Sequence, residues 1–371
     1  MSSKLFEPFK IKNMAIQNRI MRSATWDATA DEEGGVTDHS IAIYERLGTG
    51  GIGLIVTGYA FVSWPLGKAN PGQYAIYDDK LVRGWQRMAK TVHESGDSKI
   101  AVQIVHAGVN SQWLVERGFT LLAVSKLPQM DRPHRELTDD EIERIIDDFV
   151  AAAVRVKQAG FDAVQLHGAH GYLMSQFESP LYNHRTDHWG GSPGNRRRFH
   201  IEVIRRIRKA VGSDYPLLIK FGVQDDRAGG MTLSEGLETC THMENAGIDG
   251  IEVSAGVGMV SSVIKEGEVD RRIFRQRAAE TKKTVNVPVA VVNGIRSLEQ
   301  AKDIIDSGDA DMVSLSRPFI REPHLVLRWQ KGDTRPAICI SCSRCFPIVA
   351  RGEPLECGEE RRIEEEKASR E

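Results

Sequence analysis

Eight short, mostly apolar and β-branched runs recur along the chain, at 19–24, 52–57, 100–105, 161–166, 217–221, 250–254, 287–292 and 311–316. Within each run the apolar character is largely continuous rather than alternating. That is the pattern of strands covered on both faces, as in a parallel sheet. Helical or irregular sequence separates them, so a β-α alternation repeated eight times predicts a (β/α)8 TIM barrel. A doubly wound open sheet permits the same alternation, but no G-x-G-x-x-G follows the first run. The linkers carry helix signals. Thr138-x-x-Glu141 is a capping box, and Ile142, Ile145, Ile146, Phe149, Ala153 and Val156 then fall on one helical face. Ser192-Pro193 supplies an N-cap and first-turn proline, while Thr232-x-x-Glu235 and Ser297-x-x-Gln300 open two further helices. The turn-like opening, residues 5–16, is expected to cap the bottom of the barrel.

The barrel is expected over residues 1–330, followed by a cysteine-bearing extension over 331–357 and a charged, disordered tail over 358–371. The 371 residues are 41% hydrophobic and 27% charged, as in a globular protein. With 49 basic against 51 acidic residues, no global charge points to nucleic acid. No apolar run reaches membrane-spanning length, so a cytoplasmic protein is the expectation. Four of the five cysteines lie in the last 33 residues, spaced Cys339-x2-Cys342-x2-Cys345-x11-Cys357, which reads as a local cluster rather than a disulfide framework.

In a barrel the chemistry lies just past the strand ends. The runs are followed there by Thr25 and Trp26, Tyr59, His106, and then His167, His170 and Tyr172 within six residues. Gln103 lies inside the third run; Lys220, Asn293-Gly294 and Ser316-Arg317 stand at the ends of the fifth, seventh and eighth. Two imidazoles can hold a carbonyl oxygen and a phenol can give a proton to a neighbouring carbon. Glycine-bearing loops after the seventh and eighth strands are where barrels commonly bind phosphate, through backbone N–H groups.

The stretch HGAHGYL at 167–173, followed by SPLYNHRTDHWGGSPGNRRRF at 179–199, strongly resembles the Old Yellow Enzyme family of NADH:flavin oxidoreductases and ene-reductases. The resemblance implies FMN in the barrel mouth, with Thr25, Tyr59, Gln103, Lys220, Gly294, Ser316 and Arg317 around it. Gln103 and Lys220 would face the ring system, and Gly294 and Arg317 the phosphate. It implies reduction of an activated alkene by NAD(P)H, with His167 and His170 on the substrate's carbonyl oxygen and Tyr172 as the proton donor. Trp26 departs from the Cys or Thr carried there by other branches. The four cysteines resemble the [4Fe–4S] segment of the 2,4-dienoyl-CoA reductase branch, one residue shorter between the second and third. Three readings of Cys339, Cys342, Cys345 and Cys357 compete: an iron–sulfur cluster, a structural zinc, and free thiols.

The alternative function is a metal-dependent barrel lyase or hydrolase with His167 and His170 as ligands, since one fold hosts many chemistries. The expected partner is a small-molecule alkene, with a homo-oligomer or an external electron donor as further partners.

Overall fold

The computed structural model describes residues 3–258 and 272–369. Eight parallel strands close on themselves: β1 (Ile20–Arg22), β2 (Leu54–Val56), β3 (Lys99–Val105), β4 (Ala163–Gly168), β5 (Leu217–Gly222), β6 (Gly250–Ser254), β7 (Val289–Val292) and β8 (Met312–Leu315). The ring runs β4 to β8, then β1 to β3, and the β3–β4 pairing completes it. Each falls within or beside one of the eight expected runs, so the barrel stands and the open sheet does not.

The outer helices are α1 (Asp38–Gly48), α2 (Val82–Ser95), α3 (Asp139–Gln158), α4 (Arg198–Val211), α5 (Leu233–Ala246), α6 (Arg272–Thr284) and α7 (Leu298–Ser307). All three sequence-read capping boxes form, at Thr138, Thr232 and Ser297, and Ser192 caps the turn beginning at Pro193. A fourth box, Thr37 with Ser40, opens α1; its serine in the fourth position lies outside the Glu/Gln pattern.

Strand register sorts the barrel interior into layers. At the bottom, Met21, Leu54, Val56, Ala101, Ala163, Leu218, Ala290 and Met312 form an apolar layer. The antiparallel hairpin of Phe9–Ile11 with Met14–Ile16 presses Ile11, Met14 and Ile16 into it, closing that end as expected. Each such buried side chain stabilises the fold by about 1.5–3 kcal/mol relative to exposure. Water is thereby kept from one end of the barrel, and function is left to the other.

Past the barrel come α8 (Leu325–Gln330), α9 (Cys345–Ala350) and α10 (Gly358–Ala368). The extension folds back: Ala337 donates its amide to Arg296 (2.7 Å) and Leu355 to Asp27 (2.8 Å). Sequence reading expected a disordered tail from 358, whereas α10 is helical through Ala368; residues 370 and 371 lie outside the described ones. Its charges are placed at helical spacing. Arg361 pairs with Glu365 and Arg362 with Glu366, while Glu359 binds Arg344. Composition alone suggested solvation, but spacing at i,i+4 supports a helix. Among the described residues, no helix is long and apolar enough to cross a membrane.

Candidate active site

Above the apolar layer the interior turns polar. Residues directly opposite in register share a face, and Gln103 faces Gln165 while Lys220 faces Glu252. Gln103 Nε2 donates to Gln165 Oε1 (2.7 Å), whose amide donates in turn to Glu252 Oε2 (3.0 Å). Glu252 Oε1 accepts from Ser23 (2.7 Å), Ser314 (2.8 Å) and Lys220 Nζ (3.1 Å), and Lys220 also donates to Ser23 (2.6 Å). Burial raises the Glu252 pKa, but Lys220 and the hydroxyls outweigh it and hold the carboxyl below its ordinary value. An ammonium has three donors, of which this network uses two, so one N–H of Lys220 is left over.

The strand-end loops stand on that layer. His167 is the last residue but one of β4 and pairs in register with Lys220. Its Nδ1 accepts from the Ala169 amide (3.4 Å), which puts the ring proton on Nε2 as a donor. His170 adopts φ +60°, a left-handed conformation seldom taken by non-glycine residues. Three contacts hold it there: its amide to Ala255 O (3.1 Å), its Nε2 with Ser254 Oγ (2.8 Å), and Asn110 Nδ2 to its carbonyl (3.3 Å). Burial lowers the pKa of both imidazoles. His170 beside it and then Lys220 push His167 further down, while Lys220 helps bring His170 to about 3. Both rings are therefore neutral near pH 7.

Tyr172 caps the short helix Leu173–Glu178, which is seated by the Leu173 amide on His106 O (3.0 Å). Gln176 donates to Gly171 O (2.6 Å) and Ala107 O (3.2 Å), tying the β4 loop to the β3 loop. Ring centroids of His167 lie 4.8 Å from Tyr172 and 5.0 Å from His170. Tyr59, arriving from β2, joins them: its ring is 5.5 Å from Tyr172, and Tyr172 donates to its hydroxyl at 3.3 Å. Burial raises the Tyr172 pKa, and the contacts with Tyr59 and Asn70 partly offset it. The segment after β3 and the segment after β4 are locked to each other by Arg185, which pairs with Asp187 (2.5 Å) and donates to Leu137 O (2.7 Å) and Val124 O (3.0 Å).

The remaining expected residues divide. Thr25 Oγ1 and Ser316 Oγ meet at 2.8 Å, joining the ends of β1 and β8. Gly294 follows β7 with φ +76°, after Asn293 at φ +93°. Arg317 lies at the seam with the extension, where its Nη1 donates to Ser343 Oγ (2.9 Å) and Ser341 O (3.1 Å). Trp26 is partly buried and anchors its indole N–H on Pro71 O (3.2 Å). Cys339, Cys342, Cys345 and Cys357 line one cleft with Arg317 and Glu359. Burial pushes the Cys345 thiol up to about 11 and raises Cys339 as well, with Arg317 opposing both. Among the described residues no three His, Cys, Asp or Glu side chains close around a single metal ion, and His170 Nε2 already meets Ser254. Among the described residues the lyase reading therefore lacks a third ligand.

Sequence reading missed four contributors. Glu252 stood out as a carboxylate inside an otherwise apolar run, a usable signal. Gln165 and Ser254 gave none. Asn70 comes from an excursion with no motif. His106, which the sequence did place past the third run, is buried with Nδ1 accepting from Gly108 (3.1 Å), and among the described residues its Nε2 has no partner.

Residues 4–335 match the NADH:flavin oxidoreductase / NADH oxidase family. An NADH oxidase of Thermoanaerobacter brockii is 39% identical over 91% of this chain and 52% of its own length. An NADPH dehydrogenase of Clostridium acetobutylicum is 33% identical over 87% of this chain and 94% of its own. Among solved structures, 2-naphthoyl-CoA reductase in complex with 2-naphthoyl-CoA superposes with a TM-score of 0.89 at 28% identity. That match covers 95% of this chain and 56% of the reductase, so the chain spans about half the length of several proteins it resembles.

Proposed function

The chain belongs to the NADH:flavin oxidoreductase / NADH oxidase family, and from that premise we propose that it binds FMN in the barrel mouth and reduces an activated alkene with NAD(P)H. The alkene would be conjugated to a carbonyl or thioester. The observation that carries this reading is the convergence of two neutral imidazoles and a phenol at the C-terminal ends of the strands.

The residues present fit the cofactor. Among the described residues Lys220 has an uncommitted N–H and Gln103 keeps its carbonyl oxygen free beside its bonded amide, and Thr25 and Ser316 offer paired hydroxyls. Gly294 and Arg317 would take the phosphate, the arginine with the nitrogens left over from its bond to the cysteine loop. Bound FMN would supply a two-electron carrier that nicotinamide and alkene use in turn.

The protein's own part is positioning and proton handling. His167 Nε2–H would donate to the substrate oxygen and, with His170, stabilise the negative charge that grows there. Because both rings are neutral, they polarise the oxygen without handing it a proton. Tyr172 would then deliver its proton to the α-carbon, a contribution typically worth about 10²–10⁴ in rate.

At the extension the favoured reading is a [4Fe–4S] cluster. A cubane needs its four thiolates further apart than a single zinc ion does, and here all four line one cleft without closing around one ion. The purified protein should show flavin absorbance bands and release one FMN per chain; a colourless protein would end the proposal. After anaerobic purification, iron and acid-labile sulfide should be found in the ratio of a cubane, and zinc without sulfide would replace that assignment.

A further inference from the structure

The hydroxyl of Tyr59 is the least expected feature of the mouth. A phenol oxygen has two lone pairs and one proton. Both lone pairs are taken, by the Tyr172 hydroxyl at 3.3 Å and by Asn70 Nδ2. Among the described residues its own proton has no acceptor. Asn70 is held in its turn, since its amide donates to Gln73 Oε1 (3.2 Å), which also accepts from Ala69 (2.7 Å). The loop after β2 thus delivers a phenol whose oxygen is fixed and whose proton is spare. That phenol is 7% exposed and lies next to the proposed acid.

We propose that Tyr59, fixed by Asn70, is a positioning residue for Tyr172: it fixes the place of the Tyr172 oxygen and then stabilises the phenolate that proton transfer leaves behind. The inference rests on the role given to Tyr172 above. In the step itself, the Tyr172 O–H leaves the Tyr59 oxygen and swings to the substrate enolate, where the O–H bond breaks and a C–H bond forms at the α-carbon. The electron pair of the broken bond stays on the Tyr172 oxygen. Tyr59 then turns its free O–H toward that oxygen, and the hydrogen bond between the two rings reverses direction. Asn70 keeps its hold on the Tyr59 oxygen throughout. A water molecule later returns the proton to Tyr172, leaving hydroxide to the solvent.

The two phenols are suited to unequal parts. Burial, followed by the charge and hydrogen bond of Tyr172, holds the Tyr59 pKa well above its ordinary value. For Tyr172, burial raises the pKa, and hydrogen bonding to Tyr59 and Asn70 pulls it back. Tyr172, whose ring centroid is 4.8 Å from that of His167, is the one that surrenders a proton, and Tyr59, at 6.2 Å, the one that keeps its own. The arrangement also accounts for a phenol, rather than an aliphatic residue, standing 6.2 Å from the His167 ring at an edge-on angle.

The test uses the flavin-loaded protein with a fluorotyrosine at position 172, so that the phenol titrates where the fold is stable and ¹⁹F NMR reports it without substrate. A hydrogen bond to a charged group is strong enough to move such a titration by about one to two pH units. Tyr59→Phe should therefore raise the position-172 pKa by that amount, and Asn70→Leu should move it in the same direction while leaving the Tyr59 ring in place. In the unlabelled protein, Tyr59→Phe should slow alkene-dependent flavin reoxidation about ten- to a hundredfold beyond any change it makes to flavin reduction. An unmoved or lowered titration in both variants overturns this inference and leaves the role of Tyr172 standing. An unchanged reoxidation rate in Tyr172→Phe would instead remove the acid itself, whatever the titration shows.

Discussion

Removing the Glu252 carboxylate strikes the polar layer at its centre. Glu252 is 2% exposed and accepts from Ser23, Ser314, Lys220 and Gln165. In Glu252→Ala the Lys220 ammonium keeps only Ser23, in a place water reaches poorly. Loss of one partner of a buried ion pair costs about 3–5 kcal/mol. Against a total stability of about 5–15 kcal/mol, that is a large share. Pairing the change with Lys220→Met removes both charges and should restore more than half of the loss. The assay is urea unfolding of flavin-stripped protein, which removes the contribution of bound ligand. The contribution should also depend on pH in one direction. A carboxyl with a depressed folded pKa stabilises fully above its unfolded value, about 4.3. That stability is lost as pH falls through the lower folded value, so the wild-type advantage over Glu252→Gln should shrink in acid. A Glu252→Ala variant within about 1 kcal/mol of wild type, or a double variant no better than the single, would refute the reasoning.

Tyr172→Phe should leave flavin reduction by NAD(P)H intact and slow reoxidation by a cyclic enone by about 10²–10⁴, measured by stopped-flow absorbance. Arg317→Ala should lose FMN on dialysis and, because Arg317 also holds Ser341 and Ser343, should expose the cysteines to a thiol reagent in metal-free protein. Full flavin retention would take Arg317 off the phosphate. Thr138→Ala deletes the capping box of α3 and should cost about 1 kcal/mol in thermal or urea unfolding without altering flavin content.

The barrel was legible because its strands are covered on both faces and leave eight largely apolar runs. Their ends were less so: the run at 19–24 yields only Ile20–Arg22, and that at 52–57 only Leu54–Val56. Flanking residues there leave the ladder to turn into loops. His167, His170 and Tyr172 were legible because they sit within six residues. The network below them was not, since Gln103, Gln165, Lys220 and Glu252 come from four strands and meet only through register. Tyr59 and Tyr172 are likewise distant in sequence, and no local pattern announces Asn70. Arg317 was found by position but not by direction, because the loop it binds lies in the extension. The tail misled because charge content suggests solvation, while only the i,i+4 spacing of Arg361 and Glu365 reveals α10.

The most direct test of the central claim is a two-step anaerobic titration followed at the visible flavin band. NAD(P)H is added first, and an enone or enoyl thioester once the band is bleached. Bleaching in the first step and full recovery in the second, with the saturated product formed in equal amount, is the predicted result. A band that bleaches but does not recover with any conjugated alkene would contradict the assignment of His167, His170 and Tyr172 to alkene reduction.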